Sequence, residues 1–322
     1  MKRSKWYAML ALWICLGLVV GSAVSVLAQD KSYPTKSITY LTTFNPGGQS
    51  DREARRQQPL LENILGQKVI VDYKVGGGGA LGWSELVRSK PDGYLICGIN
   101  IPHIIIQPLQ QETGYKTEQI VPVSIFQRTP LALAVLKDSP YKDLKELLAA
   151  AKAKPGEISI GGSGTFSGHH IATLRLQKMT GSKFNYVPFT GAAPQITAFL
   201  GGHVNAIFGN SDDLVKHSDN IRVLGTADDQ RFFGFPNTPT FKESGIDLAE
   251  SIDRGVGLPP NTPEPIIKTL EAAFLKIAKD PAIQEQMKKE GFVPLAMGHA
   301  ESKAHIAKMT AIYKDIIKDI KK

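Results

Sequence analysis

Apolar positions along the chain follow two rhythms. One block covers 8–27 almost without interruption, behind Lys2, Arg3 and Lys5; after it, apolar residues come in short runs separated by glycine turns. The β-branched run over 37–43 reads as a strand, Asn45-Pro46-Gly47-Gly48 breaks it, and 50–65 has helical spacing. The pattern repeats with a strand over 68–73, glycines over 76–79, a helix over 81–89 and a strand over 94–99. Strands alternating with helices in this way predict a parallel sheet.

A second set opens with a buried-looking strand over 131–136 and an amphipathic helix over 141–154 that Pro155-Gly156 stops. A strand over 158–160, glycines over 161–164 and a helix over 167–180 follow, then strands over 185–189, 205–208 and 221–226 with a helix over 193–200. A strand over 255–258 and helical patterns over 263–279, 281–290 and 300–320 finish the chain. Two α/β lobes with a ligand cleft between them account for this order with the fewest assumptions. The expected division is 29–130 plus 250–322 for one lobe and 131–249 for the other.

The first apolar block has the form of a secretory leader: a basic start, a run of about 20 apolar residues, and Val26-Leu27-Ala28 before Gln29, so that cleavage is expected after Ala28. A run of that length could also stay as an N-terminal anchor. In both cases the remainder works outside the cytoplasm, in the periplasm or on the extracytoplasmic face. Loss of 1–28 removes three bases and no acids and takes the formal charge from +8 to +5. No basic block interleaved with aromatics remains, which argues against nucleic acid. After Cys15 only Cys97 is left, in the apolar stretch 94–99, and it reads as a small buried hydrophobe.

Three motifs suggest chemistry and fail on detail. Gly77-Gly78-Gly79-Ala80-Leu81-Gly82 matches a dinucleotide fingerprint, but the acid expected at the end of the next strand is replaced by Ile99-Asn100-Ile101. Gly164-Thr165-Phe166-Ser167-Gly168 has Phe166 where a hydrolase elbow needs its serine. His169 and His170 are adjacent, so a helix would turn them apart, and no carboxylate cluster accompanies them for a metal. The turns over 45–48 and 161–165 share a different property: each follows a strand and delivers backbone N–H groups at a helix start, a geometry that binds anions. The competing reading of the first turn is a helix cap by Ser50 or Asp51.

Tyr33-Pro34-Thr35-Lys36-Ser37-Ile38 and Phe44-x-Pro46-Gly47-Gly48-x-x-Asp51-x-x-Ala54-Arg55 resemble the solute-binding proteins of tripartite tricarboxylate transporters, the Bug family. Pro91-Asp92-Gly93-Tyr94, Gly162-Ser163-Gly164 with His169-His170, Val187-Pro188-Phe189-Thr190-Gly191 with Pro194, 200–205, 239–245 and 260–263 continue the resemblance in order to the end. It implies a two-lobed, type II-like periplasmic-binding-protein fold, monomeric, without cofactor, metal or catalysis. Such a protein closes over an organic di- or tricarboxylate and hands it to a two-subunit membrane permease.

The family's carboxylate loops map to 44–51 and 162–167, and a third loop at 189–193 faces the variable end of the ligand. The site residues so implied are Phe44, Gly47, Gly48, Asp51, Gly164, Thr165, Ser167, His170, Thr190, Gly191, Ala192 and Asn210. Asp51 is expected to brace its loop more than to touch an anion, which it would repel. The sequence departs from the family at Thr190, where Lys is frequent, at Gly209, where Asp is frequent, and at Asp253-Arg254, where an aromatic pair is common. Arg254 is therefore a further site residue, suited to a carboxylate by its planar fork; a salt bridge to Asp253 or a neighbouring acid is the alternative. A receptor feeding a sensor protein and a secreted hydrolase are the rival functions, the latter lacking a nucleophile and base constellation.

Overall fold

β1 (Ile38–Thr42) is flanked on its two sides by β2 (Val69–Tyr73) and β3 (Leu95–Ile101), both parallel to it. The helices α1 (Gln49–Leu65), α2 (Ala80–Arg88) and α3 (His103–Gln110) follow these strands in turn. The computed structural model describes residues 33–320, so the expected leader over 1–28 lies outside the described residues. By internal contacts the chain divides into Met1–Thr35 and Lys36–Lys322, and the described strands and helices belong to the second unit.

The second half of the chain repeats the arrangement. β5 (Ser159–Gly162) lies between β6 (Asn185–Pro188) and β7 (Ala206–Asn210), parallel to both. It carries α4 (Leu144–Ala153), α5 (Gly168–Thr180) and α6 (Ala192–Leu200), then the short α7 (Ser211–Lys216) and β8 (Ile221–Ala227).

Two antiparallel strands join the sets. β4 (Val121–Leu136) pairs through 121–130 with β9 (Ser251–Leu258), then through 131–136 with β7 and β8. The strand order is β2-β1-β3-β9-β4-β7-β5-β6. This corrects the expectation of a parallel sheet: the chain leaves the first set along β4 and returns along β9, so side by side the two must run in opposite directions. It also lengthens the strands expected over 131–136 and 255–258. Ser124, Gln127 and Thr129 are buried in the first half of β4, and with Pro122 and Pro130 they hide its apolar pattern. The chain ends in α8 (Glu264–Ala278), α9 (Pro281–Lys289), β10 (Val293–Met297), which pairs with β4, and α10 (His299–Ile320).

Each set has its own core. The first gathers Trp83, Ile99, Ile104 and Ile106, and the second Leu131, Leu133, Phe208 and Phe241. Trp83 is fully buried because its indole N–H finds the Gly98 carbonyl at 2.9 Å. Cys97 is fully buried as well, and burial raises its thiol far above the ordinary range, as for an inert packing residue.

Candidate functional site

The carboxyl ends of β1, β3, β5 and β7 converge, the usual place for a ligand in an α/β sheet. Phe44, Gly48, Gln49 and Ser50 after β1, Asn100 and His103 at the end of β3, Ser163 after β5, Ala192 at the start of α6, Asn210 at the end of β7 and Arg254 on β9 line one cleft. Its cavity measures about 10 Å³, room for about one water molecule.

Two loop contacts close the cleft. Gly48 faces the start of α6, where a Cβ on it would lie 3.9 Å from the Ala193 amide nitrogen. The turn Gly77–Gly79 meets 164–165, with a Cβ on Gly164 only 3.3 Å from Gly78 Cα. Gly48 and Gly191 are the N-caps of α1 and α6, and neither helix has a side-chain cap. The unsatisfied N–H groups and positive dipole ends of two helices are thus brought face to face. The capping reading of Ser50 and Asp51 is corrected: Asp51 reaches back to accept from the Gly47 N–H at 2.7 Å, and is itself held by Arg55 at 2.8 Å and Tyr73 at 2.6 Å. Gly47 has φ 77°, a conformation open to glycine without a Cβ penalty.

The glycine turn of the second set has part of its N–H groups engaged within the fold: that of Ser163 donates to His169 Nδ1 and that of Phe166 to His170 Nδ1, each at 3.1 Å. Ser167 caps α5 by accepting from the His170 N–H at 3.3 Å, and the Gly164 carbonyl accepts from Tyr186 at 2.8 Å. His170 stacks on Tyr186 with ring centroids 4.2 Å apart and accepts from the Phe166 N–H. Phe166 itself has φ 55°, a strained conformation for an aromatic residue, and packs against the first core. Of the expected site residues, Phe44, Gly48, Ala192, Asn210 and Arg254 line the cleft. Gly47, Asp51, Ser167 and His170 support its walls, Gly164 and Gly191 make the loop contacts, and Thr165 and Thr190 are exposed.

The floor of the cleft is polar and tightly wired. Arg254 is 5% exposed, and among the described residues no carboxylate lies within ion-pair distance of it. Its Nη1 donates to Thr129 Oγ1 at 3.0 Å and, at the longer distance of 3.5 Å, to the Ile252 carbonyl, while Nε has no partner. Burial pulls its pKa down to about 10 against the opposing pull of Asp212, Asp213 and Glu53, so it stays charged at neutral pH. The Gln49 amide donates to Thr129 Oγ1 at 3.0 Å and to Asp212, which leaves Gln49 Oε1 unpartnered. Burial and the Asp213 carboxylate push Asp212 up, and Arg52, which pairs with both acids, pulls it back.

Two histidines complete the surroundings as neutral groups. His103 packs edge-on against Phe44 at 5.8 Å; burial first, then Arg254 and His169, hold it far below its ordinary pKa, and its Nδ1 has no partner. His169 accepts from the Ser163 N–H on Nδ1, so Nε2 carries the proton toward Asn210 Oδ1, each at 3.1 Å. Gln49, Ser50 and Ser163 lie in the expected carboxylate loops 44–51 and 162–167 without having been singled out there, whereas sequence reasoning missed Asn100 and His103, whose only signal is position at the end of a strand.

A family model described as "Tripartite tricarboxylate transporter family receptor" matches residues 54–321. The chain belongs to this receptor family. BugT of Bordetella pertussis is 29% identical over 299 residues, 91% of this chain and 92% of BugT. Among solved structures, a TctC solute-binding protein from Polaromonas, described as without ligand, is 30% identical with a TM-score of 0.67, covering 89% of this chain and 99% of that one. An R. palustris protein with adipate is 24% identical with a TM-score of 0.85, covering 90% and 98%. The receptor therefore has the two-lobed periplasmic-binding-protein fold. Among its described residues no helix is long and apolar enough to cross a membrane.

Proposed function

We propose that this receptor is a periplasmic protein that captures an organic carboxylate in the cleft and delivers it to the two-subunit permease of a tripartite tricarboxylate transporter, without catalysis. The observation that carries the reading is the pair of uncapped helix N-termini, α1 and α6, opposed across the cleft. A carboxylate between them would take the orphan N–H donors of both and so tie the two lobes together. The lobes are 29–130 plus 250–322 and 131–249; the change of partners along β4 at Pro130 and Leu131, and the Leu131 N–H to Glu250 carbonyl bond of 3.1 Å, support those limits.

Closure follows as a population shift, because a ligand that bridges both N-termini has affinity only for the closed form. The test is thermal stabilisation of the purified protein by mono-, di- and tricarboxylates, aromatic acids and neutral solutes, since a ligand of the native state raises the melting temperature. Carboxylates alone should do so; stabilisation confined to neutral solutes would overturn the reading.

A further inference from the structure

Arg254 sits apart from the backbone donors at the mouth. It is the cationic side chain on the floor of the cleft, it has no ionic partner among the described residues, and its Nε is a buried donor with nothing to bind. Thr129, which receives Nη1, does not satisfy it. Thr129 Oγ1 lies at 3.0 Å from Gln49 Nε2, 3.0 Å from Arg254 Nη1 and 3.3 Å from Gln127 Nε2. A hydroxyl oxygen has two lone pairs, so three donors compete for it and the guanidinium is left short of acceptors.

A buried charge in that condition is costly unless something pairs with it. The rest of the floor cannot. The Asp212 carboxylate is committed to Arg52 and to the Gln49 amide, Asp213 to Arg52 and Asn210, and Glu53 to Arg56 and Gln57. Asp253, next along the strand, is held by Arg128. With Nη1 shared between Thr129 and the Ile252 carbonyl, it is Nε that no acceptor of the floor reaches, and the cleft is the place from which one can come.

We propose that Arg254 is the specificity-determining residue of this receptor: it binds a second carboxylate, so the cleft selects dicarboxylates whose first carboxylate lies between the N-termini of α1 and α6. The inference rests on the carboxylate reading above and adds the charge and reach of the ligand. A guanidinium fork offers two parallel N–H donors to a carboxylate, and the free Nε is one of them. A monocarboxylate would leave the fork unpaired, as would a dicarboxylate with its far end amidated.

Titration calorimetry on the purified protein tests this with succinate, malate and adipate against butyrate and neutral succinamide. The preferred dicarboxylate should bind at least about 30-fold tighter than butyrate, and R254Q should abolish that preference. An R254Q protein that keeps the preference, or a wild type that binds butyrate as tightly as every dicarboxylate, overturns the proposal. Should R254Q fail to fold, R254K decides. Lysine keeps the charge and loses the fork, so the preference should shrink several-fold, and an unchanged preference overturns the role of Arg254. The two readings fail differently: butyrate bound without preference sinks only the inference, whereas no carboxylate bound by wild type sinks the carboxylate reading and the inference with it.

Discussion

Asp253 and Arg254 are consecutive on β9, and only Asp253 has an ionic partner. Strand alternation sends them to opposite faces. Asp253 receives Arg128 Nε at 2.8 Å and Nη2 at 3.0 Å and lies 2.7 Å from His305 Nε2, while Arg254 turns to the cleft. The salt bridge between the two that the sequence left open does not form. Burial pushes Asp253 up, but the hydrogen bonds from His305 and Arg128 outweigh it and hold the carboxyl below its ordinary value. Its stabilisation is therefore present above about pH 4 and lost as the pH falls through the folded value. Asp253→Asn should cost about 2 kcal/mol at pH 7 and flatten the acid limb below pH 4 in urea unfolding followed against pH.

Gly48→Asp should abolish carboxylate binding. The added side chain places a negative charge at the N-terminus of α1, facing the Ala193 amide that the ligand would share. An acidic residue is tolerated at an N-cap, but the new Cβ would lie 3.1 Å from the Asn45 carbonyl oxygen, so the melting temperature without ligand should fall modestly as the turn adjusts. Unchanged affinity in calorimetry would remove the first loop from the site.

Gly164→Ala should act on closure. Gly164 has φ 135°, and its new Cβ would meet Gly78 Cα, which is backbone and cannot swing aside. A destabilisation of about 1–2 kcal/mol is expected from the strained backbone alone. Affinity should fall further as the two loops are wedged apart, visible as a larger radius of gyration in solution scattering at saturating ligand.

Arg52 on α1 bonds Asp212 and Asp213 on α7, and Gln49 reinforces the link. Arg52→Ala leaves two adjacent acids without their cation and should destabilise the protein by about 2 kcal/mol. It should also weaken ligand binding, because under the proposed division the link would join α1 of one lobe to α7 of the other. Double substitution with Asp212→Asn should recover part of the stability in a denaturation cycle.

Burial pushes His169 and His170 down to about 4. Both are neutral in the folded protein, whereas the unfolded chain takes up protons near pH 6.5. Stability from these groups is complete above about pH 6.5 and declines as the pH falls toward 4, by about 1.4 kcal/mol per pH unit for each histidine. His170→Phe, which keeps the stack on Tyr186, should reduce that slope. An equal slope in the variant would show that His170 does not carry it.

The βα units were legible because glycine turns and β-branched runs punctuate them locally, and the family motifs extend along nearly the whole chain. The middle of the sheet was not. Ser124, Gln127 and Thr129 look like loop residues until the fold gives them partners: Ser124 bonds the Met297 carbonyl, Gln127 bonds Thr129, and Thr129 receives Gln49 and Arg254 from far away in the chain. The site was half legible: glycines and Arg254 announced themselves by type, but Gln49, Asn100 and His103 become lining residues only when four strand ends meet. The second glycine turn was legible as a turn, but not the fact that its Ser163 and Phe166 N–H groups are taken by His169 and His170, which only the folded chain brings back to them.

β4 and β9 run side by side as a paired antiparallel ribbon as far as Pro130 and Ser251, with one further bond from the Leu131 N–H to the Glu250 carbonyl. Under the proposed closure, with the lobes meeting at that point, opening would have to twist this ribbon. A register kept by backbone pairing along its length would return the two helix N-termini to the same alignment on each cycle, so that accuracy of capture would be set by the strand pair, well behind the residues that line the cleft.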